Sequence, residues 1–524
     1  MMMEPVTKMA GDWITSEWGN AVKTSIENLP YHVGGSSYLV YKEGSTYYAK
    51  GLRSGLSDYS GSVASTVIQS AIDVLPSGGG KIQFATGKYV LTAPLVINKS
   101  SVHISGENTG GDLFFTMDAT YAGISNKIAT VLVADGIDGI QVGTTAFVFG
   151  ICLENMAIIG KSAETGLADT DYSAGNGLNL QRVNTIQLRN LEILRKEKGI
   201  YIHQTASGYD YVLDILNMEN IYFAYNVYGF YQDTWLANAR MRNIWGYINQ
   251  KSLLNVRPRY DWMIENVWSN ADSWNTAVEG ENPVYVETER DVIIRNVAIA
   301  GSKSGTRCPV SLIQIKALDS GGTTQGANVK LQNLTLTETQ NEAVLIDGTG
   351  GLVEIDHLYA GVKSFYDTAV ANPNINGCIV KNLTDTVEVK VNGGHVNAGQ
   401  AKKNWFYGAI TKGKNISIQN VKNYNPYGFA DYSPRFSPAC GGIVVYDAGD
   451  VTATPTASID YTIYNLPVFI YSTGGTGVSI TIKAPTDTVI ASGLTTLNAQ
   501  YLPVGYKINF GAFSVAPTVV LSGI

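Results

Sequence analysis

Tyr222, Trp245 and Trp268 each stand two residues after an asparagine, namely Asn220, Asn243 and Asn266. The residues that follow them, Phe223, Gly246 and Ser269, fall on the opposite face of an alternating pattern, so the three rings are expected to point outward together. One strand spacing apart, they make a flat aromatic strip about 10 Å long. Such a strip stacks on the apolar faces of sugar rings without needing charge, and the chain has little charge to offer, 15% of its residues. Trp235 and Arg257 lie close by in the chain and join the strip as expected glycan-binding residues. The same strip would also suit a subunit contact or lie under a loop.

Two carboxylates accompany the rings. Asp210 and Asp233 each precede their asparagine, Asn220 and Asn243, by ten residues. In neighbouring coils they would stack about 5 Å apart, the separation of a retaining glycosidase pair. Arg257 and Glu287 fall one residue off that column. The competing reading is that both aspartates are turn residues. Asp261, Asp272 and Glu281 are weaker candidates. Glu154, Arg189, Glu219, Arg242, Glu265 and Arg295 alternate in sign one residue before the asparagines. That column reads as structural ion pairs worth roughly 0.2–1 kcal/mol each. It takes Glu219 and Glu265 off the catalytic list. The four cysteines, at 152, 308, 378 and 440, lack metal-ligand spacing, and histidines number five. Neither a metal nor a cofactor is expected.

The elements that hold these residues follow from a repeat. Asparagines at 155, 190, 220, 243, 266, 296, 333, 382 and 420, with His357 in the same place, are each followed by an aliphatic residue. Two positions earlier stands an apolar residue in every segment, from Leu153, Leu188 and Met218 to Val380 and Ile418; one position earlier none is apolar. Alternation of period two is a strand with one buried face. A column that stays apolar through ten segments, repeating at coil length, is a parallel β-helix. The asparagine sits at a bend between strands, where it tolerates left-handed backbone angles. Stacked at ~4.8 Å, successive amides can bond along the axis.

Upstream, residues 64–76 carry an apolar stripe of Val67, Ile68, Ala71, Ile72 and Leu75 and read as a helix. After it come Gly78-Gly-Gly-Lys-Ile82, Gly87-Lys-Tyr-Val-Leu91 and a strand ending Ile104-Ser-Gly106. This run resembles the opening of the pectate-lyase-like superfamily, shared by viral tailspikes and secreted polysaccharide lyases and hydrolases. The resemblance implies a right-handed parallel β-helix whose N-terminal end is capped by the helix. It covers 64–106 closely and 107–445 by architecture. The polygalacturonase set (Asn-Thr-Asp, Asp-Asp, Gly-His-Gly, Arg-Ile-Lys) is absent, and Gly393-Gly-His-Val396 lacks its partners. The calcium-binding aspartate cluster of pectate lyases is absent too.

The expected organisation is an N-terminal helical anchoring segment (1–33), a hairpin and capping helix (34–106), the β-helix (107–449) and a small C-terminal β-sandwich (450–524). In the first segment Trp18, Val22, Ile26 and Leu29 share a helical face. In the last, charge nearly vanishes, which suggests coverage by identical subunits. Resemblance to tailspikes, which trimerise through C-terminal β-domains, points the same way. The 524 residues hold 55 glycines and 31 tyrosines, and the net charge of −7 offers no basic stripe for nucleic acid. No apolar run is long enough to span a membrane, and the first residues show no signal-peptide pattern.

The expected function is a homotrimeric, virion-associated or extracellular tailspike-like fibre that recognises a cell-surface polysaccharide, with its N-terminus for virion attachment. A polysaccharide hydrolase or lyase on the same scaffold is the alternative. A structural surface protein without ligand is the third.

Overall fold

The computed structural model describes residues 36–52, 54–108, 129–161, 167–203, 215–276, 278, 280–303, 306–319, 326–337, 342–361, 380–384, 386–397, 411–413 and 416–423, with short strands between 459 and 522. The expected N-terminal helix at 1–33 lies outside the described residues, as do Asp210, Cys378 and Cys440.

The solenoid is a parallel β-helix. Strands 151–159, 185–194, 215–224, 238–247, 262–270, 291–300, 327–337, 351–361, 387–397 and 416–423 pair in parallel, each with the next. Strands 102–105 and 130–133 start the stack against the two halves of 151–159. A second parallel sheet runs from 95–97 through 196–202 and 228–232 to 411–413. Each coil thus gives one bent strand to the first sheet and one short strand to the second.

The bend is the asparagine. Asn155, Asn190, Asn220, Asn243, Asn266, Asn296 and Asn333 have φ between 49° and 58°, and His357 has 57°. Each amide donates to the one before it: Asn190 to Asn155 at 2.8 Å, Asn220 to Asn190 at 2.9 Å, and so on to Asn333 and Asn296 at 3.0 Å. The left-handed residue resets the alternation, so residues before and after it can both face the core. The column two positions before it is sealed: Leu153, Leu188, Met218, Met241, Ile264, Ile294, Leu331 and Ile355 are at most 2% exposed.

The expected ladder errs at one rung. Asn382 lies in the second sheet, where Val380, Lys381 and Asn382 pair with Val344, Leu345 and Ile346. It is buried, and its amide donates to Val387 O at 2.9 Å. The bend of that coil falls at Gly393, φ 73°, between the register pairs Asp356–Asn392 and Leu358–Gly394. Glycine makes the left-handed bend without a side chain. It therefore shows no asparagine signal, while Val-Lys-Asn-Leu imitates one.

The helix Ala64–Asp73 buries Ala64, Val67, Ile68, Ala71 and Ile72 in the same continuous core as the first coils. Ten residues are marginal alone, so this packing holds it. At the C-terminal end, strands 459–462, 480–483, 489–494 and 507–510 form one antiparallel sheet and 468–473, 500–502 and 518–522 another. No helix among the described residues is long and apolar enough to cross a membrane.

A second, interior ladder runs along another corner. Asn226 Oδ1 accepts the Lys196 N–H at 2.9 Å, Asn249 Oδ1 accepts the Asn226 amide at 3.0 Å, and Asp272 Oδ1 accepts the Asn249 amide at 2.8 Å. Asp272 Oδ2 accepts Ser269 Oγ at 2.6 Å. All are fully buried. Burial pushes the Asp272 carboxyl up to about 7 against these hydrogen bonds. Asp272 is therefore a wall residue with no access to a ligand.

Candidate functional site: an aromatic groove

The strip assembles as its spacing predicts. Tyr222 pairs with Trp245 and Trp245 with Trp268, in register. Their neighbours Ile221, Phe223, Ile244, Gly246, Val267 and Ser269 are buried, so the rings project outward. Trp268 is 58% exposed, while Tyr222 and Trp245 are half-buried. Together with the outward edge of the ladder at Asn155, Asn190 and Asn220, they line an open groove of about 500 Å³. Ala298 succeeds Trp268 in the column and ends the strip.

The other end of the groove holds two carboxyls, Glu107 and Glu192. Glu192 pairs with Tyr222 on one side and Ala157 on the other. It is 8% exposed, and its Oε2 has no hydrogen-bond partner among the described residues. Burial pushes its carboxyl up to about 8, so it carries a proton at neutral pH. Glu107 is partly exposed, and its Oε2 accepts the Thr86 N–H at 2.8 Å. It follows Gly106, whose N–H donates to Glu154 O at 2.9 Å and where a side chain would meet Asn155 O. Glu107 thus leaves the stack one rung before Asn155 and two before Glu192, about 10 Å along the axis.

Sequence reasoning passed over Glu192. Its signal was available: it occupies the outward position two residues after Asn190, in the column that named Tyr222.

The remaining expected site residues lie elsewhere. Asp233 follows strand 228–232 of the second sheet, away from the strip. Its carboxylate accepts the Tyr201 hydroxyl, and its carbonyl accepts Arg257 Nη1 at 2.8 Å. Arg257 also pairs with Glu287, Nε to Oε2 3.4 Å. Trp235, two residues after Asp233, is not among the residues that line the groove. Ten residues before the bend is the end of the preceding strand, so equal spacing from the asparagine placed Asp233 at a corner. Glu281 is tied to Lys251 at 2.7 Å and to the Tyr228 hydroxyl at 2.8 Å, and Asp261 is exposed outside the groove.

The Glu/Arg column forms only in part. Glu265 binds Arg242, at 3.5 Å, and Arg295. Glu154 turns to His103 instead of Arg189, Oε1 to Nε2 2.8 Å.

No family model matches this sequence, and neither does any curated protein. Solved structures do. Geobacillus virus E2 ORF18 is similar at 13% identity and TM-score 0.38, over 83% of this chain and 72% of that one. The full-length tailspike protein 2 from Escherichia coli O157:H7 bacteriophage CAB120 is similar at 12% identity and TM-score 0.44, over 87% of this chain. The chain spans 60% of that tailspike's length. Endo-xylogalacturonan hydrolase from Aspergillus tubingensis is similar at 10% identity and TM-score 0.28, over 73% of this chain and all of that one. The assignment of a parallel β-helix rests on the strand register itself.

Proposed function

We propose that the chain is a tailspike-like protein, carried on a virion, that recognises a host-surface polysaccharide in the aromatic groove. The observation that carries this reading is the in-register strip Tyr222–Trp245–Trp268 opening onto a groove of about 500 Å³. A groove of that size takes a small ligand or a few sugar units. The rings lie a strand spacing apart, so one saccharide face can lie across two of them. The ladder amides Asn190 and Asn220 border the groove and offer hydrogen bonds to hydroxyls. Homotrimerisation through the charge-poor C-terminal segment and attachment through the N-terminus belong to the same proposal. The test is binding of the full chain to an array of purified cell-surface polysaccharides. Saturable binding to a polysaccharide supports the reading, and its absence across the array contradicts it.

Glu192 favours a second reading, in which the groove also cleaves what it binds. A carboxyl that keeps its proton near neutral pH beside a sugar site is placed as a general acid. Glu192 gives its proton to the glycosidic oxygen as that C–O bond breaks. A water, deprotonated by the Glu107 carboxylate, adds its oxygen to the anomeric carbon. The two hydroxyl ends account for the water, and solvent restores both carboxyls. An acid and a separate carboxylate that activates the water make the inverting arrangement. Glu192→Gln should keep binding and stop the release of reducing ends. A bound polysaccharide that the unaltered protein leaves intact would contradict this second reading and leave the first standing.

A further inference from the structure

The outer face of the bent sheet, before the ladder, carries a second cluster apart from the groove. His103 stands directly across from Cys152, and Ser105 across from Glu154. Cys152 and Glu154 are two residues apart on one strand and share its outward face. The imidazole, thiol and carboxylate each offer a ligand atom, and all three atoms lie within 4.8 Å of one another. We propose that His103, Cys152 and Glu154 bind one divalent cation of the zinc class, through imidazole nitrogen, thiolate sulfur and carboxylate oxygen.

The donor set selects the ion. Nitrogen, sulfur and oxygen together suit a borderline-soft ion such as Zn²⁺, whereas Ca²⁺ and Mg²⁺ require oxygen ligands. With bonds of about 2.0–2.3 Å, ligand atoms around a tetrahedral ion are roughly 3.3–3.8 Å apart. Adjacent rungs of the β-helix fix the backbones, which leaves side-chain rotation to bring the widest pair together. Three protein ligands leave the fourth position to water.

The carboxylate is turned for this role. Glu154 pairs in register with Arg189, yet its Oε1 faces His103 Nε2 at 2.8 Å and Ser105 Oγ at 3.2 Å, and its Oε2 lies 4.0 Å from Cys152 Sγ. Burial and the Glu154 charge push the Cys152 thiol up, and the cations of Arg189 and of Lys81, which is paired with His103 on the preceding rung, act against that shift. The two cations offset the two anionic ligands, so the cluster needs no dense negative field. Binding replaces the thiol proton by the metal, and the proton leaves to solvent. Linear spacing hides the site, since His103 and Cys152 meet only after a full coil.

The test uses Co²⁺ as a spectroscopic probe on the full chain, freed of metal by a chelator. One equivalent should produce visible d–d bands and a near-ultraviolet thiolate-to-cobalt charge-transfer band, and Zn²⁺ should bleach both. Cys152→Ser should abolish the charge-transfer band. Glu154→Gln and His103→Gln should each weaken Co²⁺ binding at least tenfold, with unchanged circular dichroism. Absence of the charge-transfer band at tenfold excess Co²⁺, or its persistence in Cys152→Ser, overturns the proposal. Equal affinity in folded Glu154→Gln and His103→Gln does the same.

Discussion

Asn243 donates its side-chain amide to Asn220 Oδ1 at 2.8 Å, one rung along the helix axis. It also accepts the amide of Asn266 at 2.9 Å, and its own φ is 56°. One residue therefore makes the bend and fastens it to both neighbours. Asn243→Gly keeps the bend and loses two hydrogen bonds, each worth about 0.5–1.5 kcal/mol. Asn243→Ala adds the left-handed strain of a Cβ, roughly 1–2 kcal/mol. Alanine should thus destabilise more than glycine in denaturant unfolding. The reverse order would remove the left-handed bend as the reason for the ladder.

Gly246 tests the interior ladder. A Cβ there would sit 2.1 Å from Asp272 Oδ2 and 2.7 Å from the Leu253 side chain. The next rung accommodates Ser269 because its hydroxyl bonds that same oxygen. Gly246→Ala should cost about 1–3 kcal/mol by overpacking. An unchanged unfolding midpoint would mean that the corner has room the packing denies.

Glu192 predicts a pH dependence. Its folded pKa is raised from 4.5 to about 8. The unfolded chain ionises first, so the folded state binds more protons between those values. The contribution to stability is full below pH 4.5 and is lost as pH rises through about 8. Relative to Glu192→Gln, the unaltered protein should lose melting temperature steadily from pH 5 to pH 8. Asp272, also raised, is common to both proteins and cancels from the difference. Parallel curves would place Glu192 in a solvated setting.

The fold was legible in the sequence because its unit is short and repeats. Leu153, Asn155 and Met156 make a pattern that recurs until tertiary position is redundant. Gly393 and Asn382 show the limit: one bends without an asparagine, and the other shows the flanks without the bend. Tyr222, Trp245 and Trp268 were found because they keep one distance from the ladder. Asp233 was misplaced because distances counted back across a corner mix two sheets. Glu192 and the interior Lys196–Asp272 ladder were missed because burial and missing partners depend on which residues meet across coils, and linear spacing does not carry that.

The charge-poor C-terminal segment is proposed to hold the oligomer. A chain ending at Asp450 should then sediment as a monomer, while the full chain sediments as a trimer. If the shortened chain stays trimeric, the contact lies along the solenoid.

Trp245 is the middle ring of the strip, paired with Tyr222 on one side and Trp268 on the other. Loss of one stacking ring should cost roughly 1–3 kcal/mol of binding, by analogy with aromatic stacking on other flat ligands, which is about 5- to 150-fold in Kd. The decisive measurement is the affinity of Trp245→Ala for a polysaccharide bound by the full chain, with circular dichroism and sedimentation run alongside. Binding weakened at least about fivefold in a folded protein of unchanged oligomeric state is the predicted result. Unchanged affinity in that same folded protein would contradict the assignment of the groove as the glycan site.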